Sequence, residues 1–171
     1  GRITERDVRE FAEKRMVKIR ESIPLSGMRK TVAERMSLSA KSVPRITLMM
    51  EVDASEIQKL QQSKPSSQVS LTDILVKGCA MALETNPMLN SRLEVDWIRI
   101  FDDVNVGVAV ATPQGLVVPV VHNANKKTLS EVSATLQTLI EKARDGSISK
   151  EEMSRGTFTI TNLGMYGVDS F

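Results

Sequence analysis

Apolar and polar residues alternate with a period of two in several stretches of the chain. Ile46, Leu48, Met50 and Val52 alternate with Arg45, Thr47, Met49 and Glu51, which predicts a half-buried strand. Val104, Val106, Val108 and Val110 alternate with Asn105, Gly107, Ala109 and Ala111 in a second. The small face of that strand leaves room for another backbone or a slender ligand, and tight packing of a helix against the sheet explains it as well. Trp97–Phe101 reads as a short strand. Leu116–Val121 is apolar on both faces and completes a buried hairpin across the turn Thr112, Pro113, Gln114, Gly115, with proline second and glycine fourth. Finally, Phe158 and Ile160 alternate with Thr157, Thr159 and Thr161 until Asn162, Gly164 and Gly167 break the rhythm. Thr161 and Asn162 are therefore expected as the last strand residues, with a hydroxyl and an amide projecting into a cleft. Spacing alone also fits one more buried strand closed by a glycine turn.

Between these stretches the period becomes helical. Thr4 precedes Asp7 by three residues, followed by Val8 and Phe11, a short capped helix; Glu13–Ser22 is dense in charge and reads as a linker. Ser26 is placed to cap a helix over 27–41 with Val32, Ala33, Met36 and Ala40 as its apolar stripe, stopped by Pro44. Asp53 and Glu56 look like a capping pair for a short helix ahead of a polar loop over 61–68. Ser70 and Asp73 open a helix over 71–83 that is apolar on nearly every face, and so central. Thr128 and Glu131 box the start of a helix with Leu129, Val132, Leu136, Leu139 and Ile140 on one face, closing near Asp145 and Gly146. Ser149 and Glu152 then cap a single turn.

Composition narrows the class. The 171 residues suit one domain with a real core, and 41% hydrophobic with 26% charged residues is ordinary for a soluble globular protein. A dispersed net charge of +2, with no basic run interleaved with aromatics, argues against nucleic acid. Cys79 is the single cysteine, so neither an intramolecular disulfide nor a multi-cysteine zinc site is expected, and no metal. In the middle of an apolar helix it reads as packing. No stretch reaches the roughly eighteen apolar residues of a membrane span, and a soluble, intracellular protein without a membrane partner is expected.

The phrase GTFTITNLGMYG, from Gly156 to Gly167, resembles the signature of the dihydrolipoamide acyltransferases, the core acyltransferase components of 2-oxo acid dehydrogenase complexes. PLSGMRKTVAERM, SVPRITLMMEVDAS, SLTDILVKGCAMALETNPMLNSR, VNVGVAVATPQGLVVPVV and KKTLSEVSATLQTLIEKARDGSISKEE are similar to successive segments of that catalytic domain, in the same order. Together they cover nearly everything from Ile23 to Phe171. The N-terminal GRI-x-x-x-DV phrase is similar to the tail of the family's peripheral subunit-binding domain. Residues 1–12 are accordingly expected as that tail, 13–22 as a linker, and 23–171 as a catalytic domain incomplete at its C-terminus.

The resemblance implies an α/β chloramphenicol acetyltransferase-like fold, a two-layer sandwich with a mixed β-sheet and helices on one face. It implies homotrimers assembling into a larger cage, with an active site in the channel between neighbours. The reaction implied is acyl transfer between dihydrolipoamide and coenzyme A, the lipoyl group riding on a separate domain. Partners implied are that lipoyl domain and the 2-oxo acid decarboxylase/dehydrogenase and dihydrolipoamide dehydrogenase subunits, in the cytoplasm or, in a eukaryote, the mitochondrial matrix. Thr161 matches the position whose hydroxyl stabilises the oxyanion. Ser70 and Asn162 match coenzyme-binding positions, and Asn90 lies in a loop placed near the channel. Gln61 stands where the family carries an arginine. The base is a histidine in an HxxxDG motif that these residues do not contain. His122, the only histidine, matches a loop position and is expected at a surface or interface. The 171 residues alone are thus expected to be inactive, and a non-catalytic core subunit that docks partners is the alternative.

Overall fold

The computed structural model describes residues 2–15, 17, 19–63, 69–113 and 115–168, which fall into two units, Gly1–Arg45 and Ile46–Phe171. In the first unit, helix α1 (Glu5–Arg15) starts as its spacing predicts. The Asp7 carboxylate accepts from the Thr4 N–H at 2.7 Å and the Thr4 hydroxyl at 2.6 Å, and the Asp7 N–H returns a bond to the Thr4 hydroxyl. Helix α2 (Gly27–Ser42) also forms, but the Ser26 hydroxyl does not cap it. Gly27 takes a left-handed φ of +57°, which turns the first N–H groups of the helix away from Ser26. The expected stripe stays exposed at Val32 and Met36.

The expected strand over 45–52 is not formed. Ile46, Leu48, Met50 and Val52 are each at least 74% exposed. Alternation specifies which face a strand would bury, but its N–H and C=O groups need a neighbouring strand, and among the described residues none runs alongside. Helix α3 (Ser55–Ser63) follows. Asp53 accepts from both the N–H and the hydroxyl of Ser55, while Glu56 pairs with Lys59 at 2.6 Å instead of reaching back. The helix starts one residue later than expected, with Gln58 bonding to the carbonyl of Ala54, so Glu56 is out of capping register. The expected loop over 61–68 begins inside α3, and residues 64–68 lie outside those described.

Helix α4 (Leu71–Thr85) and helix α5 (Leu129–Asp145) both open on capping boxes, Ser70 with Asp73 and Thr128 with Glu131, and Gly146 ends α5 at φ +80°. They pack together on a mixed sheet. Its centre is β3 (Val106–Val108), antiparallel to β6 (Val120–Val121) and parallel to β7 (Phe158–Ile160), with α5 supplying the crossover that parallel pairing requires. Val106 and Val108 meet Val76, Ala80, Val132 and Leu136 of the two helices in one buried cluster. On the other face Gly107 is closely packed, since a Cβ there would lie 2.8 Å from the Val118 Cγ1 and force a shift. Contrary to its all-round hydrophobicity, α4 buries only one side: Val76, Ala80 and Leu83 are covered while Leu71 and Met81 are exposed.

The long alternating stretch 104–111 is interrupted at Ala109. Its N–H bonds to the carbonyl of Ile160 in β7, and the chain resumes as β4 (Val110–Thr112), paired with β5 (Gly115–Val117). The predicted hairpin is therefore present in two pieces. Its tip is exposed, Leu116 at 56%; Gln114 of its turn lies outside the described residues. One hairpin was not foreseen. β1 (Ser91–Glu94) pairs with β2 (Trp97–Ile100) across Val95 and Asp96, with Val95 at φ +51°, where a β-branched residue is seldom found.

Candidate functional site

β7 delivers Thr161 and Asn162 one and two residues past its last paired residue, Ile160. Beside β7, Ala109 and Ala111 keep the neighbouring chain small, and a cleft of about 150 Å³ opens there. The small face thus divides: Gly107 is needed for packing, while the two alanines line the opening. Ile140 and Arg144 of α5 line it together with Leu163 and Tyr166. Thr161 is exposed to this space, and its hydroxyl makes no hydrogen bond among the described residues. Asn162 is anchored. Its Nδ2 donates to the Thr72 hydroxyl at 3.3 Å and its Oδ1 accepts from the Gly164 N–H at 3.1 Å, tying the strand end to the first turn of α4.

Ser70 lies in an adjoining groove of about 350 Å³ with Asp73, Ser133 and Glu141; Ile140 and Arg144 border both hollows. Its hydroxyl accepts from the Asp73 N–H at 3.2 Å, and the Asp73 carboxylate, 4% exposed, accepts from the Ser70 N–H and, at 3.0 Å, from the Ser133 hydroxyl. A buried carboxylate is tolerated there because two donors, the Ser70 N–H and the Ser133 hydroxyl, reach it. Gln61 supports the same place from α3, donating to the carbonyl of Val69 at 3.3 Å.

Asn90 is elsewhere. It is 1% exposed, and its Nδ2 donates to the carbonyls of Phe101 and Asp103, fastening the β1–β2 hairpin to the chain that leads into β3. His122 is also remote. It follows Val121, which pairs with Val106 at the start of β3, whereas Thr161 follows Ile160, paired with Val108 at its end. Strand rise puts about 13 Å between those levels of the sheet, beyond the reach of direct proton transfer within one copy of the chain. Burial pushes the Cys79 thiol up, which leaves it protonated and fits packing better than nucleophilic work.

Sequence reasoning did not find Thr72 or Arg144. Each carried a faint signal: Thr72 sits in the first turn of a helix opening on Ser70, and Arg144 follows Ile140 by four residues on one helical face.

Residues 17–171 match the sequence profile of the family described as 2-oxoacid dehydrogenases acyltransferase (catalytic domain). The chain belongs to that family. Among relatives of this acyltransferase domain, it is 38% identical over 152 residues to the dihydrolipoyllysine-residue acetyltransferase component of the mitochondrial pyruvate dehydrogenase complex of Dictyostelium discoideum, covering 87% of this chain and 24% of that protein. A crystal structure of a probable dihydrolipoamide acetyltransferase from Listeria monocytogenes 4b F2365 superposes with a TM-score of 0.83 at 31% identity, over 88% of this chain and 68% of that one. The cubic core of a pyruvate dehydrogenase multienzyme complex gives 0.85 at 28% identity, over 95% and 69%. The acyltransferase fold expected from the sequence is therefore the fold observed. The chain spans between 24% and 40% of the length of the relatives compared by sequence.

Proposed function

We propose that this domain transfers an acyl group between a dihydrolipoamide thiol and coenzyme A, both acting as substrates. The observation that carries the reading is the unbonded Thr161 hydroxyl at the end of β7, facing an apolar cleft. Acyl transfer between thiols is nearly symmetrical chemistry. A base removes the proton of the coenzyme thiol and the thiolate sulfur bonds to the thioester carbonyl carbon, whose π electrons move to oxygen. The tetrahedral intermediate then collapses, the carbon–sulfur bond to dihydrolipoamide breaks, and the departing thiolate regains the proton. The difficult moment is the charge on oxygen, and a hydroxyl donor preset toward it is worth about 3 kcal/mol. Thr161 takes that role. Asn162, held by Thr72 and Gly164, and Ser70, at the N-terminus of α4, line the coenzyme's approach; Asn90, buried in this copy, supports the hairpin beside β3.

The base in this reading is an imidazole that these residues do not supply, since His122 stands at the far end of the sheet. The second reading is a core subunit that builds the assembly and docks partners without turnover. In either case the domain is read as the core of a 2-oxo acid dehydrogenase complex, built from trimers, served by lipoyl domains and flanked by decarboxylating and dihydrolipoamide dehydrogenase subunits. Residues 1–12 are read as the end of a subunit-binding domain and 13–22 as its linker. The test is transfer from acyl-dihydrolipoamide to coenzyme A by the full-length assembled protein. Thr161→Ala is expected to lower kcat about 10²- to 10³-fold, with Thr161→Ser retaining most of it. Unchanged transfer in Thr161→Ala removes Thr161 from the mechanism, and no transfer by the unmodified protein favours the structural core.

A further inference from the structure

Among the described residues that line the Thr161 cleft, Arg144 alone carries a charge. Two cations stand in the last turn of α5, and their surroundings differ. Lys142 lies 2.6 Å from the Glu152 carboxylate. The guanidinium of Arg144 makes no ion pair or hydrogen bond among the described residues. A cation near a helix C-terminus complements the dipole, which accounts for a basic residue somewhere in this turn and not for one bordering the cleft. Its position also gives it a choice of two hollows. The Ser70 groove already holds the Asp73 and Glu141 carboxylates, which repel an anion, whereas no acid is among the described residues that line the Thr161 cleft. An anionic group near Arg144 is therefore favoured on the Thr161 side. A planar guanidinium with unused N–H groups is suited to gripping a phosphate or carboxylate through two bonds at once.

We propose that Arg144 binds an anionic group of the molecule seated in the Thr161 cleft and so fixes where its thioester lies relative to the Thr161 hydroxyl. The inference rests on the acyl-transfer reading and adds a specificity-determining residue to it. Two parts of the substrates offer the required chemistry: a phosphate of coenzyme A, or the free carboxylate of a dicarboxylic acyl group.

The experiment compares coenzyme A with pantetheine, which has no phosphate, as acceptors, and acetyl with succinyl thioesters as donors, in the full-length assembled protein. Arg144→Gln is expected to raise KM at least tenfold more for the anion-bearing substrate than for its neutral counterpart, with Arg144→Lys between. A phosphate contact shows as discrimination between coenzyme A and pantetheine whatever the acyl group. A carboxylate contact shows as discrimination between succinyl and acetyl whatever the acceptor. Equal effects of Arg144→Gln across all four pairings, whether none or a uniform loss, overturn the proposal and leave Arg144 a structural residue. If the unmodified protein transfers no acyl group, the acyl-transfer reading fails separately; calorimetric titration of unmodified and Arg144→Gln protein with coenzyme A and with succinyl-pantetheine still judges Arg144, equal affinities for both ligands overturning it.

Discussion

At one end of the three-stranded sheet both polar atoms of the Asn105 side chain are committed to backbone partners; at the other, the Thr161 hydroxyl has none. Asn105 is 4% exposed, and its Nδ2 donates to the Arg155 carbonyl at 2.8 Å while its Oδ1 accepts from the Asn123 N–H at 2.9 Å. Its own N–H donates to the Thr157 hydroxyl, and the Thr157 N–H returns a bond to its carbonyl. Three segments are stitched together by one side chain and its backbone. The contrast follows from what each environment demands. A buried amide must be paired or it costs stability, whereas the proposed role of Thr161, donating to new negative charge, calls for a hydroxyl left without a partner. One sheet thus separates the groups that hold it together from those that the proposed function offers to a ligand.

The sharpest way to break this contrast is Asn105→Ala, which leaves the Arg155 carbonyl and the Asn123 N–H, both in part-buried bonds, without their partner. A loss of about 3 kcal/mol is expected, a fall in Tm of roughly 10 °C for a domain of this size, read by thermal unfolding. Gly107→Ala, between the two ends, forces a Cβ to within 2.8 Å of Val118 and is expected to cost about 2 kcal/mol, measured by denaturant unfolding. At the margin of the open end, Ser70→Ala removes the hydroxyl half of the α4 capping box, with an expected loss of about 1 kcal/mol. Thr161→Ala completes the comparison from the other side: its effect on unfolding should stay within about 0.5 kcal/mol, and a larger loss would mean that Thr161 is structural.

The smallest effect is a pH dependence. Glu152 accepts from Lys142 and from the Ser149 N–H, which hold its carboxyl down at about 2 from an ordinary 4.5. A depressed folded-state value means that the stabilisation is fully present above the unfolded value and is lost as pH falls from about 4.5 toward about 2. Glu152→Gln is expected to lower Tm slightly at neutral pH and to match the unmodified protein near pH 2. A difference that persists there would assign the effect to packing and not to charge.

The parts of the fold that were legible in the sequence are those a few consecutive residues complete by themselves. Thr4 with Asp7, Ser70 with Asp73, Thr128 with Glu131 and Ser149 with Glu152 all close their turns as spaced. Ser26 and Asp53 fail for equally local reasons, a left-handed glycine and a one-residue shift in helix start. The stretch 45–52 has a strand's rhythm and no strand, because pairing is a property of two segments and rhythm of one. The β1–β2 hairpin was hidden by the opposite circumstance, a two-residue turn in which Asp96 is an ordinary turn former but the left-handed position falls to the β-branched Val95.

For the site, the sequence by itself determined that Thr161 and Asn162 would stand at a strand's end, since the alternation and the glycines that break it lie within twelve residues from Gly156 to Gly167. It also determined the helix start at Ser70. Only the tertiary structure decided that Asn162 would be held by Thr72, that Arg144 would border the same cleft, and that Asn90 and His122 would fall at the other end of the sheet. Periodicity reports the direction a side chain leaves its own backbone. Which other chain it meets depends on β3 pairing with β7 through a crossover of some fifty residues, a distance no local pattern encodes.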